Sequence, residues 1–274
     1  MNGVESRIGI DFGGALAIED AIAWAGDNDI RHIDVQIDAD LMRLADGGPA
    51  AEAVRKLATE RGVAVHLHTL SGLNTAEISP FAAEAATRYL NAYIDAAAAM
   101  GAATVVVHGG YHFTADYDRR RAASLERLRR AVDRAAVRHV VLMLENMNKE
   151  PADAEVKYLA HSLDECRYYF ARLPAPHLAW SFTVNHAHLL PEGIAGFVDG
   201  LDMSRCREVR IADCRGTVEE HLFPGDGTID FADMFRRIEN AGYRDRYTLA
   251  FGTPDDMLQG RSILADHLAA VSGP

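Results

Sequence analysis

The chain has 274 residues, 49% of them apolar, enough for one large core, and no apolar run approaches the roughly 18–20 residues of a membrane span. Against 28 Lys and Arg stand 40 Asp and Glu, a net charge of −12, which repels a phosphate backbone and disfavours nucleic acid as a partner. Three cysteines without a CxxC pair (Cys166, Cys206, Cys214) read as free thiols, and MNGVESRIGI has no signal-like apolar stretch, so a soluble, cytoplasmic protein is expected.

Short β-branched runs alternate with Ala-rich amphipathic stretches. The predicted strands are 7–12 (RIGIDF), 32–38 (HIDVQID), 63–69 (VAVHLHT), 104–110 (TVVVHGG), 140–147 (VVLMLENM), 178–184 (LAWSFTV), 207–213 (REVRIAD) and 247–252 (YTLAFG). Helices such as 81–100, 117–136 and 230–241 lie between them. Strand starts recur every ~25–40 residues, the spacing of βα units. Eight units without a linker point to a single (β/α)₈ barrel domain over 1–274. An open doubly wound sheet is the alternative, but neither GxGxxG nor GxxxxGK[ST] occurs.

In such a barrel, polar residues at the C-terminal strand ends face the working site. Walking those ends gives Asp11, then Asp34, Gln36 and Asp38, then His66 and His68, then His108, then Glu145 and Asn146. Asn185, His186 and His188 follow the sixth strand, and the seventh carries Arg210 and Asp213, with Glu219, Glu220 and His221 beyond it. His66, His108 and Glu145 form a two-His, one-carboxylate set suited to Zn²⁺, Mn²⁺ or Fe²⁺. His68 and His188 are read as supporting residues, Trp180 as packing, and the arginines from Arg119 to Arg130 as a solvated helix face.

At these residues the sequence resembles the xylose isomerase-like barrel superfamily, which includes endonuclease IV and many sugar isomerases and epimerases. The matching segments are VHLHTLSGLN (65–74), GAATVVVHGG (101–110), LEN (144–146), VNHAH (184–188) and EEHLFPGDGTIDF (219–231). The resemblance implies one metal on His66, His108 and Glu145 and a second on His186, Glu219 and His221. A third subsite of the family, shared with Glu145, falls on Thr183, Arg210 and Ala250, where its ligands are missing. The two-glutamate proton shuttle of the sugar isomerases needs a strand-eight Glu, which Ala250 does not supply. Arg210 is expected where that metal would be, free to clamp a carboxylate, phosphate or enolate.

The resemblance thus implies a metal-dependent isomerase or epimerase acting on a sugar, cyclitol or related keto compound, with dehydration or lyase chemistry as a variant. Glu145, His186, His221 and Arg210 are the catalytic candidates. Gln36, Asn74, Asn185 and Arg210 are the substrate-binding candidates. Two alternatives stand beside it: an endonuclease IV-like phosphodiester hydrolase, and a non-catalytic relative that binds a small polyol. Family members are monomers, dimers or tetramers, so a homo-oligomer stays open.

Overall fold

A computed structural model describes residues 3–174 and 176–271. The strands are β1 (Ile8–Asp11), β2 (His32–Val35), β3 (Ala64–His68), β4 (Thr104–Val107), β5 (Tyr111–Phe113), β6 (Val141–Glu145), β7 (Val156–Tyr158), β8 (Leu178–Thr183), β9 (Cys206–Ile211) and β10 (Arg246–Leu249). Eight of them close into a parallel barrel in the order β1-β10-β9-β8-β6-β4-β3-β2. All eight fall inside the expected segments, except that β9 and β10 each begin one residue early. The antiparallel pair β5–β7 was not anticipated; it forms a small separate sheet above the C-terminal ends of β4 and β6.

The helices are α1 (Ile18–Asp27), α2 (Leu41–Ala45), α3 (Pro49–Arg61), α4 (Pro80–Met100), α5 (Tyr117–Arg138), α6 (Leu163–Arg172), α7 (Val184–His188), α8 (Gly193–Gly200), α9 (Phe231–Asn240) and α10 (Pro254–Val271). Among the described residues no helix is long and apolar enough to cross a membrane. Local chemistry sets their ends. Pro49 and Pro80 open α3 and α4, where a missing N–H costs nothing, and Gly62 and Gly101 close them in the left-handed conformation. Ser162 and Asp230 cap α6 and α9 by accepting the N–H of Glu165 and Asp233.

Strand alternation separates two interiors. The outward residues, such as Ile8, Ile10, Ile33, Val65, Leu67, Val105, Leu142, Leu144, Val209 and Leu249, join the helices in one continuous apolar core. Trp180 and Phe182 belong to it, their rings 4.5 Å apart, so Trp180 is packing. The barrel lumen is largely polar instead. Among the described residues, Val106, Met143 and Ala179, with Val141 against them, make a small apolar cluster there. Lower in the lumen, Arg246 donates to Thr104 Oγ1 at 3.0 Å, and Thr104 Oγ1 also meets His66 Nδ1 at 2.8 Å. Above them Glu208 accepts from Ser181 (2.8 Å) and Thr248 (2.7 Å).

Two expectations about basic residues change here. Arg120 and Arg127 are buried on α5 and do not belong to a solvated face. Arg127 donates to the carbonyls of Thr75 and Glu77, which pins the β3–α4 loop. The three cysteines are free and buried.

Candidate active site

A cavity of about 470 Å³ opens where the barrel strands end, a size suited to a small molecule. Its floor holds His68, the last residue of β3, His108 just past β4, and Glu145, the last residue of β6. His68 Nε2 and His108 Nε2 are 3.1 Å apart, and they lie 3.4 and 3.0 Å from Glu145 Oε2. Ligands held 2.0–2.1 Å from a tetrahedral ion stand roughly 3.4 Å apart, so these three atoms are spaced to share one.

The tautomers agree with that reading. His108 Nδ1 faces Thr69 Oγ1 at 3.2 Å, and that hydroxyl already donates to the Val106 carbonyl, so it accepts the Nδ1 hydrogen. His68 Nδ1 is buried without a hydrogen-bond partner, 3.6 Å from Asp11 Oδ2. Both rings turn Nε2 to Glu145, and for His108 the Thr69 contact leaves the Nε2 lone pair facing it. Burial disfavours the His68 imidazolium, yet Asp11 and Glu145 outweigh it and lift its pKa to about 9. The same two carboxylates would favour a divalent cation in place of that proton.

A second cluster forms the cavity wall. His186 on α7 and the loop residues Glu219 and His221 bring three ligand atoms within 4.8 Å of one another. His186 Nδ1 donates to the Asn146 carbonyl at 2.8 Å, and His221 Nδ1 to the Ala250 carbonyl at 2.5 Å. Each again presents Nε2, at 3.5 and 2.6 Å from Glu219 Oε1. His186 Nδ1 also lies 3.6 Å from Glu145 Oε1, so this ring joins the two clusters. Asp213 shapes the loop that carries Glu219 and His221, because its carboxylate accepts the N–H groups of Cys214, Gly225, Gly227 and Ile229. A Cβ at Gly227 would stand 2.2 Å from Asp213 Oδ1, which accounts for glycine there.

Arg210, buried below the floor, answers four carboxylates. It bonds Asp11 and, at 3.1 Å, Asp34; its nitrogens lie 3.9 Å from both Glu145 and Glu208. Burial pushes Glu145 up, but hydrogen bonds from His108 and His68 and the Arg210 charge hold it well below the usual carboxylate range. Asp34 goes the other way: burial and the neighbouring Glu208 charge raise it well above that range.

The geometry corrects four sequence expectations. His66 stands apart from the cluster. It faces the lumen as His68 does but two residues lower, bonded to Thr104 and edge-on to His32, so His68 takes the place expected for it. Arg210 lines the cavity, but it is not the unpaired clamp expected, since each terminal nitrogen already gives one N–H, to Asp34 and to Asp11. Asn74 is not among the cavity residues; its Oδ1 accepts from Ala76 N and Tyr111 N, both at 2.9 Å. Asn185 is also outside the lining, tied to the Glu220 carbonyl at 3.1 Å. Gln36, His108, Glu145, His186, Glu219 and His221 do line the cavity. At the expected third subsite, Thr183 donates to Glu145 Oε1, and Ala250 offers only its carbonyl, to His221. Sequence reasoning noted Asp11 only as a strand end and missed Tyr158, which reaches the cavity from β7.

Among curated proteins none matches the sequence. Solved structures share the fold at low identity. A D-tagatose 3-epimerase-like protein superposes with a TM-score of 0.83 at 19% identity, over 97% of this chain and 98% of that one. D-psicose 3-epimerase from Clostridium cellulolyticum H10, solved with D-tagatose, gives 0.75 at 13%, over 97% and 99%. A 3-keto-D-glucoside 4-epimerase from E. coli gives 0.73 at 18%, over 95% and 98%. A family profile described as xylose isomerase-like TIM barrel matches residues 22–267, and the chain belongs to that family.

Proposed function

We propose that this protein is a divalent-metal-dependent epimerase or isomerase of a ketose, cyclitol or related keto compound. The observation that carries the reading is the pair of His–carboxylate clusters, joined through His186 and Glu145, in one polar cavity at the strand ends. The fold shared with proteins described as sugar epimerases supports it. His68, His108 and Glu145 would hold one ion; His186, Glu219 and His221 fit a second. A divalent ion of zinc, manganese or iron at such a site polarises a bound carbonyl or hydroxyl oxygen, which acidifies the adjacent C–H.

The chain's own groups supply the rest. Glu145, kept ionised by the hydrogen bonds from His108 and His68 and by the Arg210 charge, lies at the floor as the proton acceptor there. On the wall, with no second ion bound, His186 and His221 have Nδ1 committed and Nε2 turned to Glu219, and it is through Nε2 that each takes or returns a proton. Acid–base groups on two sides of a bound substrate are what inversion at one carbon needs, and this arrangement offers them without a strand-eight glutamate. Arg210 acts on the charge of Glu145. Gln36 is placed to meet a substrate hydroxyl.

Metal analysis of protein purified without chelator, alongside His68→Ala and His221→Ala, tests this reading. About one equivalent lost in His68→Ala, with ketose epimerisation by the wild type, is expected. A protein that takes up no metal on reconstitution and converts no ketose overturns it. A second reading, phosphodiester hydrolysis, is favoured by the complete His186–Glu219–His221 set. Metal-dependent cleavage of bis-p-nitrophenyl phosphate, with no ketose conversion, would decide for it.

A further inference from the structure

Tyr158 enters the cavity from the small sheet, and none of the roles above uses it. Its main chain is fixed on several sides. It pairs with Tyr111 across the antiparallel ladder, Leu159 N donates to the Gly110 carbonyl at 2.8 Å, and His161 Nδ1 donates to the Tyr158 carbonyl at 2.9 Å. The ring stands edge-on to Tyr111, with centroids 6.5 Å apart at 88°. Asn74 ties this sheet to the β3–α4 loop through Oδ1 alone, since its Nδ2 is buried without a partner. Gly110 permits that contact: its φ is +82°, and a Cβ there would stand 2.4 Å from Ala76 N.

So fixed a ring has an unspent hydroxyl, for Tyr158 makes no side-chain hydrogen bond to any described residue. Four carboxylates stand around the same cavity. Asp11, Glu145, Glu150 and Glu219 line the cavity as carboxylates, while Arg210 bonds Asp34 and Asp11 and the Nδ1 atoms of His186 and His221 bond backbone carbonyls. Burial and the charges of Glu150 and Glu219 raise the phenol's pKa, which keeps it a donor at neutral pH. A ketose or polyol presents oxygens that need such a donor.

We propose that the Tyr158 hydroxyl donates a hydrogen bond to a carbonyl or hydroxyl oxygen of the substrate, and that Asn74 is the residue that positions it. The proposal rests on the sugar reading above and names the contact that orients the substrate over the two clusters. One neutral hydrogen bond corresponds to about a three- to tenfold change in affinity. The test is calorimetric titration of the full-length, metal-loaded protein with D-tagatose, D-allulose and L-ribulose, followed by kinetics on whichever is converted. In Tyr158→Phe the bound ketose should weaken by about that factor, with KM rising, kcat nearly unchanged, and metal content and Tm as in the wild type. Asn74→Ala should reproduce the KM effect, and Asn74→Asp, which keeps the acceptor, should reverse it. Wild-type affinity in Tyr158→Phe overturns the inference alone. A wild type that binds none of the three ketoses overturns the sugar reading and this contact with it.

Discussion

The two His–carboxylate clusters use the same residue types in opposite settings. At the floor, the side chains of His68, His108 and Glu145 are 10%, 2% and 5% exposed and stand at or next to the ends of barrel strands. On the wall His186 is buried, but Glu219 and His221 are 37% and 40% exposed and lie on a loop. Charge at the floor is expensive and must be balanced within the protein, which is the place of Arg210. Water shares that task at the wall. The difference teaches that the floor is part of the folded core, whereas the wall can be altered with little cost to the barrel.

Glu145 touches both clusters, so its loss should be felt most. Glu145→Ala is expected to lower turnover by about 10²–10⁴-fold, and metal analysis should show the floor ion lost while the wall set retains its own. Equal loss from both would mean that the clusters form one unit. Arg210→Met comes next. It leaves Asp11, Asp34 and Glu145 crowded without their counter-charge, and urea unfolding should show a loss of about 3–5 kcal/mol. His221→Ala, at the exposed wall, should leave stability nearly unchanged; comparable losses would erase the contrast drawn above.

A smaller effect separates the clusters by tautomer. Thr69→Val removes the acceptor that fixes His108 Nδ1 and should weaken metal affinity at the floor by about 10–100-fold. Competition with a chelator would read that change, and the wall site should not respond. A dependence on pH comes from beneath the floor. Burial, followed by the charge of Arg246, pushes His32 down to about 4, and burial lowers His66 too. A histidine whose folded pKa is depressed contributes fully above its unfolded value near 6.5 and loses that contribution as pH falls. Stability should therefore drop by roughly 1.4 kcal/mol per pH unit for His32 between about 6.5 and 4. Urea midpoints across that range should flatten in His32→Gln; an unchanged slope would place the acid sensitivity elsewhere.

Much of the barrel was legible because each strand alternates. Ile8 and Ile10, or Leu142 and Leu144, mark the outward face, and the residues between them mark the lumen. The pair β5–β7 was not legible, since three-residue strands carry too little pattern to register as an alternation. The same alternation explains the exchange of His66 for His68. Residues two apart share a face, so the period names the direction of a side chain and says nothing of its depth. The strand-end rule settles the depth, because only the last inward residue of β3 reaches the cavity. Asn74 and Asn185 show a further limit: a polar residue after a strand serves the backbone of neighbouring loops as readily as it serves a substrate.

By itself the sequence determined the eight-unit barrel, the end of it that carries the chemistry, and most of the His and Glu residues gathered there, because those follow from local periodicity and from residue type. Only the tertiary structure decided which atoms meet. The Arg210 guanidinium meets Asp11 on β1 and Asp34 on β2, far away in sequence and adjacent only once the barrel closes. Tyr158 reaches the cavity only because β7 pairs with β5. Contacts of this kind depend on closure and on the strand register it imposes, which no local pattern records.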